Sequence, residues 1–172
     1  PFIQVCKRLR IMNIFYLNRD PVKAARLQYN KHVVKMILES AQMLCTAHHH
    51  YADKLGYKVD YIPYKKAHYN HPSTIWCRQN IKQYYWLYHH MIALGDEYTK
   101  RYDKTHLTIT KCGEPLKYIP NGIPKGIFTE PPQCMPDKYK VEGDSIKAYW
   151  NYYINDKKSI AHKKEKLYTV QL

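Results

Sequence analysis

His32, Lys35 and Glu39 stand three and four residues apart, so on an α-helix a base, a cation and a carboxylate line up along about two turns. Such a row can hold a phosphate with His32 and Lys35 while Glu39, flanked by cations, acts as a general acid/base or a charge stabiliser. The bland alternative is a solvent face laced by a Lys35–Glu39 pair, worth a few tenths of a kcal/mol. On a helical wheel Lys31, His32, Lys35, Glu39, Gln42, Thr46, His49 and His50 share an arc of about 100°. The rest of the circumference is almost wholly apolar, so this polar stripe meets either a narrow strip of solvent or an internal groove.

The helix that carries the stripe is expected from about Lys31 to Tyr51. Asp20 as N-cap and Pro21 at the first helical position predict a short helix before it, from Val22 to about Tyr29. A short strand is expected over Met12 to Leu17. A second long helix is expected from about Pro72 to Tyr102, with Asn80 in the middle of its apolar half, where a buried amide must be hydrogen-bonded. Gln79, Gln83, His90, Glu97 and Arg101 form a polar line on that helix, a candidate opposite wall for the groove. Asn70 or Ser73 is expected to cap it, and the free amides of Asn70-His71-Pro72-Ser73 suit a phosphate. Thr105 to Lys111 alternates like a short strand. From Cys112 to Lys140 prolines and glycines exclude regular structure, yet Ile119, Ile123, Ile127, Phe128 and Met135 are too apolar for a flexible linker, which predicts an ordered strap. Asp144 is expected to cap a final helix reaching about Lys164. The fold class is therefore mainly α: a bundle of two long and two shorter helices, one or two short strands and a Pro-rich strap.

Composition narrows the partner. The 172 residues hold 28 Lys plus Arg against 14 Asp plus Glu, a formal charge of +14. Hydrophobic content of 45% excludes a disordered polybasic tail, and no apolar run is long enough for a membrane span. There are 18 Tyr to 3 Phe, an imbalance that places rings with hydroxyls at polar boundaries. A basic, tyrosine-rich domain fits a polyanion. Lys65 and Lys66 interleave with Tyr64, His68 and Tyr69, and Tyr149, Trp150, Tyr152 and Tyr153 precede Lys157, Lys158, Lys163 and Lys164. Both stretches offer rings to bases and cations to phosphates.

The five cysteines are widely spaced with no Cys-x-x-Cys pair, so no zinc ribbon or thioredoxin-type motif is present and a reducing compartment is expected. Adjacent histidines at His48–His50 and His89–His90 point about 100° apart and cannot share a metal as i, i+4 pairs do; no metal and no cofactor is expected. His71-Pro72-Ser73 and His106-Leu107-Thr108 are paired His-x-Ser/Thr triplets, but Pro72 before a helix spoils a two-histidine phosphoesterase. P-loop, GxGxxG, HExxH and GxSxG signatures do not occur. Residues 1–11 lack an adequate apolar segment and cleavage site for a signal peptide and read as an upstream or appended segment, leaving 12–172 as a single helical domain.

From Met12 to about Lys158 the chain resembles a small family of bacteriophage and bacterial proteins. The likeness is carried by Met12-Asn13-Ile14-Phe15, Asn30-Lys31-His32-Val33-Val34-Lys35-Met36-Ile37-Leu38-Glu39, Ala41-Gln42, Ala47-His48, Asn70-His71-Pro72, Asp96-Glu97-Tyr98, Gln133-Cys134-Met135-Pro136 and Ala148-Tyr149 with Tyr152-Tyr153. Asn30 stands where that family has an acidic residue, and its Trp-rich C-terminal end is lacking. The family implies a phage gene and a cytoplasmic setting in the bacterial host, and no established activity. More weakly, the chain is similar to the helical pyrimidine-dimer glycosylases of phages, which place His, Arg and Glu on one helix and use an N-terminal amine as nucleophile; Met12-Asn13, with eleven residues before it, departs from that pattern.

The expectation is a protein acting on nucleic acid, DNA rather than RNA, by base excision or phosphodiester cleavage. Glu39, His32 and Lys35 are its catalytic candidates, and Gln42, Asn70, His71, Ser73, Asn80, Arg101, Lys65 and Lys66 its substrate or phosphate ligands. The other readings are a non-enzymatic module that coats nucleic acid or blocks a host factor, and a protein that binds or processes a small nucleotide.

Overall fold

A computed structural model describes residues 12–158. The chain is mainly helical. Helix α1 (Pro21–Arg26) starts where Asp20 accepts from the amides of Val22 and Lys23, with Pro21 at its first position. Helix α2 (Asn30–Leu55) carries the polar stripe and ends at Gly56, whose φ of 76° is the left-handed turn that glycine adopts without strain. Helices α3 (Pro72–Cys77) and α4 (Ile81–Tyr102) follow, then α5 (Leu107–Cys112). Short 3-10 turns lie at Pro115–Lys117 and Asp137–Tyr139. Asp144 caps α6 (Ser145–Tyr152), which runs into a π-helical turn at Tyr153–Lys157. The expected continuation to Lys164, and residues 1–11, lie outside the described residues.

Helices α2 and α4 pack most extensively on each other, α1 lies on α4, and α3 and α5 contact α2. Gly95 of α4 permits one close approach: a Cβ there would stand 2.7 Å from Ile109 Cγ1 of α5. No helix among the described residues is long and apolar enough to cross a membrane.

Three expectations need correction. First, among the described residues there is no strand, and the shorter helices number four. Met12–Leu17 is almost wholly buried but pairs with no neighbour; distant side chains satisfy its backbone instead. Glu39 accepts from Asn13 N–H, Gln28 donates to Ile14 C=O, and the Trp150 indole donates to Leu17 C=O. Second, residues of the expected Thr105–Lys111 strand form α5, because His106 caps a helix there. Third, the expected Pro72–Tyr102 helix is two helices. Asn80 is extended (φ −161°), and its side-chain oxygen accepts from Gln83 N–H, so it caps α4 rather than sitting within a helix.

The segment from Cys112 to Lys140 is indeed an ordered strap, and it gives several of the tyrosines a role. With only two short 3-10 turns, most of its carbonyls need other donors, and phenols and indoles supply several of them. Tyr88 donates to Gly113, Tyr84 to Leu116, Tyr57 to Asn121, Trp76 to Thr129 and Tyr149 to Pro132. Phe cannot do this, since a buried orphan carbonyl costs about 1–3 kcal/mol.

Candidate functional site

The N-terminal half of the stripe gathers under the Met12–Leu17 segment. Glu39 Oε2 accepts from the Asn13 amide at 2.8 Å, and Oε1 lies 3.5 Å from Lys35 Nζ. The Glu39 side chain is 5% exposed while that of Lys35 is 57% exposed, so a buried carboxyl lies beside an exposed cation. Burial pushes the Glu39 carboxyl up to about 7, outweighing the Asn13 amide and Lys35, which both favour the charged form. A carboxyl with that value exists in both protonation states near neutrality, as a general acid/base requires.

Asn13 holds this arrangement in place. Its side-chain oxygen accepts from the amides of Ile14 and Phe15, and its Nδ2 donates to Cys134 C=O at 3.0 Å. The tight turn leaves Phe15 at φ 54°, a conformation that is strained for a bulky residue. The ring of Phe15 stacks on His32 with centroids 4.1 Å apart. His32 Nδ1 is 3.0 Å from the Tyr153 hydroxyl, which accepts from Tyr29 N–H. Burial, and then the charges of Lys157 and Lys35, lower the His32 pKa to about 3. His32 is therefore a neutral ring that supports the floor of the site, and the cation of the row is Lys35.

A second group of candidate residues joins through Cys134. Its thiol is 3.4 Å from Ser73 Oγ, and Ser73 N–H donates to His71 Nδ1 at 3.1 Å. Lys35, Glu39, Asn13, Cys134, Ser73 and His71 thus form one polar chain. His71 is the cap of α3, the place expected for Asn70 or Ser73. Asn70 is exposed just ahead of it, and Gln42 lies half-buried one turn beyond Glu39. Both His-x-Ser/Thr triplets turn out to be one device, for His106 Nδ1 likewise accepts from Thr108 N–H at the start of α5.

The remaining candidates are placed elsewhere. Asn80 Nδ2 donates to Gln83 Oε1 and to Ile127 C=O, pinning the strap over the break between α3 and α4. Arg101 pairs with Glu97 and donates to Gln28 C=O, Arg26 C=O and Asn30 Oδ1, locking the α1–α2 junction to α4. Lys66 pairs with Asp53, and Lys65 is exposed beside it. In the second expected stacking region Tyr149, Tyr152 and Tyr153 are buried, so their faces are closed to bases. Lys163 and Lys164 lie outside the described residues.

Of the histidine clusters, His48 and His90 are fully buried, and burial lowers both to about 4. Cys45, Cys77 and Cys112 are buried thiols outside any disulfide. Among the described residues no three His, Cys, Asp or Glu side chains converge as a metal site would need. Asn13, Phe15 and Cys134 carry no chemical signal of their own in the sequence, although all three fall in segments that carry the family resemblance.

Compared with protein-family models, with curated proteins and with solved structures, the chain matches none.

Proposed function

We propose that this is a phage-encoded protein of the host bacterial cytoplasm that acts on nucleic acid, DNA in preference to RNA, with Glu39 as general acid/base. One observation carries the reading: a nearly buried carboxyl poised near neutrality beneath an exposed lysine. Lys35 neutralises an approaching phosphate, and Glu39 delivers a proton to the departing oxygen of a phosphodiester, or to a departing base, as water attacks the phosphorus or the C1′ carbon and releases its own proton to solvent. His32, a neutral ring stacked on Phe15, packs beside this half of the stripe without charge of its own. The Asn13 amide fixes which carboxyl oxygen faces inward, leaving Oε1 toward Lys35.

Incubation with plain and base-damaged duplexes tests this directly. Glu39→Gln keeps the shape and the acceptor for Asn13 N–H, so it is expected to abolish turnover while leaving binding largely intact. Equal turnover by the variant contradicts the role of Glu39. A second reading, a non-enzymatic nucleic-acid-binding module, draws support from the near-complete burial of Glu39 together with the formal charge of +14. It predicts steeply salt-dependent binding and no turnover on any substrate.

A further inference from the structure

Two lysines stand over one continuous row of rings, and a third, Lys35, lies one helical turn beyond its end. Lys138 Nζ lies 4.9 Å from the centroid of Tyr139, and Lys157 Nζ lies 4.8 Å from that of Tyr152. The Tyr139 and Tyr152 rings are 5.5 Å apart, Tyr152 is 6.2 Å from Phe15, and Phe15 stacks on His32. Lys35 follows His32 by one turn of α2, beside Glu39. The rings are buried, so the row offers no free face on which a base can stack. What it presents is ammonium charge, with two of the three amines held by cation–π contact above the apolar floor.

Among the described residues the neighbouring carboxylates leave two of the three charges, those of Lys138 and Lys157, without an ion pair. Asp137 pairs with Lys140, and among the described residues no carboxylate forms an ion pair with Lys138 or Lys157. Lys35 has Glu39 as its neighbour. The lysine-rich loop near α2's other end differs: Lys66 is engaged with Asp53, and the Arg78 guanidinium is stacked 4.1 Å from the Tyr69 centroid.

We propose that Lys138, Lys157 and Lys35 form a track for the phosphodiester backbone of a nucleic acid, leading it to Glu39 and reading no base. The proposal rests on the nucleic-acid reading above only in naming Glu39 as the destination; the track itself follows from the three ammonium groups and the closed rings. Phosphate contacts of this kind give affinity and register without sequence information.

The test measures binding of a short DNA duplex by fluorescence polarisation across a salt series. Each lost phosphate contact lowers the slope of log K against log salt by about 0.9. The Lys138→Ala/Lys157→Ala double variant is expected to lose about two such contacts, while Lys65→Ala/Lys66→Ala keeps most of the slope. Duplexes of unrelated sequence are expected to bind the wild type alike. Thermal melting confirms that each variant is folded, and Lys138→Gln/Lys157→Gln gives a second charge-neutral pair with longer stems. An unchanged slope in both track variants overturns the proposal, as does strong discrimination between duplex sequences. Weakening confined to anionic lipid vesicles, with DNA binding intact, also overturns it. A wild-type protein with the expected slope loss in its variants but no turnover on any duplex supports the track and contradicts only the catalytic role of Glu39.

Discussion

The two halves of the polar stripe on α2 share a helix face and a similar composition, yet their polar atoms do different work. At the C-terminal half Thr46 Oγ1 both accepts from and donates to the Ala67 backbone, His49 bonds the Tyr64 carbonyl, and His50 bonds the Tyr69 hydroxyl. These groups fasten the loop between α2 and α3. At the N-terminal half the cover is an unpaired segment held by a strained turn, with a carboxyl, a neutral imidazole and an exposed ammonium meeting beneath it. Polar residues that are consumed by backbone pairing stabilise a loop. Polar residues that are desolvated with incomplete compensation have shifted proton affinities, and functional sites are enriched in them.

Breaking the cover should produce the largest effect. Phe15→Ala removes a ring packed on His32, Tyr152 and Tyr153 and is expected to cost about 3–5 kcal/mol in denaturant unfolding. It should also admit water to Glu39 and lower its proton affinity. A loss under about 1 kcal/mol would mean that the ring cluster does not hold this half together.

The next effect depends on pH. The Glu39 carboxyl titrates at 4.5 ordinarily and at about 7 in the fold, so between those values the native state holds a proton that the unfolded chain has released. Its contribution to stability therefore declines as pH rises through that window, and the full cost is present above about 7. Glu39→Gln removes the cost. Relative to wild type, the variant should gain up to about 3 kcal/mol in stability on going from acid to alkaline buffer. The buried neutral histidines act in the opposite direction: His32, His48 and His90 lose their contribution as pH falls from 6.5 toward 3 to 4. That loss is common to both proteins and cancels in the difference. A pH-independent difference would contradict the raised carboxyl.

The smallest effect belongs to the other half. Thr46→Val leaves the Ala67 N–H and C=O without their partner and should cost about 1–2 kcal/mol. DNA binding and its salt slope should be unchanged. A binding defect as large as that of the lysine-track variants would erase the distinction between the two halves.

How much of this was legible in the sequence depends on how local the signal is. Asp20 with Pro21, Asp144, and the long apolar periodicity of α2 each act within a turn or two, and each marks its element correctly. The row His32, Lys35, Glu39 was legible for the same reason. Met12–Leu17 was not, because its backbone is satisfied by residues such as Glu39, 26 positions from Asn13. The link from Asn13 to Cys134 spans 121 positions and leaves no periodic trace. Asn80 was misplaced for a different reason: a wheel assumes an unbroken helix, so a residue that caps α4 reads as an amide in the middle of an apolar face. The alternation from Thr105 to Lys111 reads as a strand, and the His106 cap makes it a helix instead.

The central claim is that Glu39 is a carboxyl poised near neutrality. The direct measurement is a pH titration of the Glu39 side-chain carboxyl by 13C NMR, assigned by comparison with Glu39→Gln. A midpoint near 7 is expected. A midpoint at the ordinary 4.5 would contradict it.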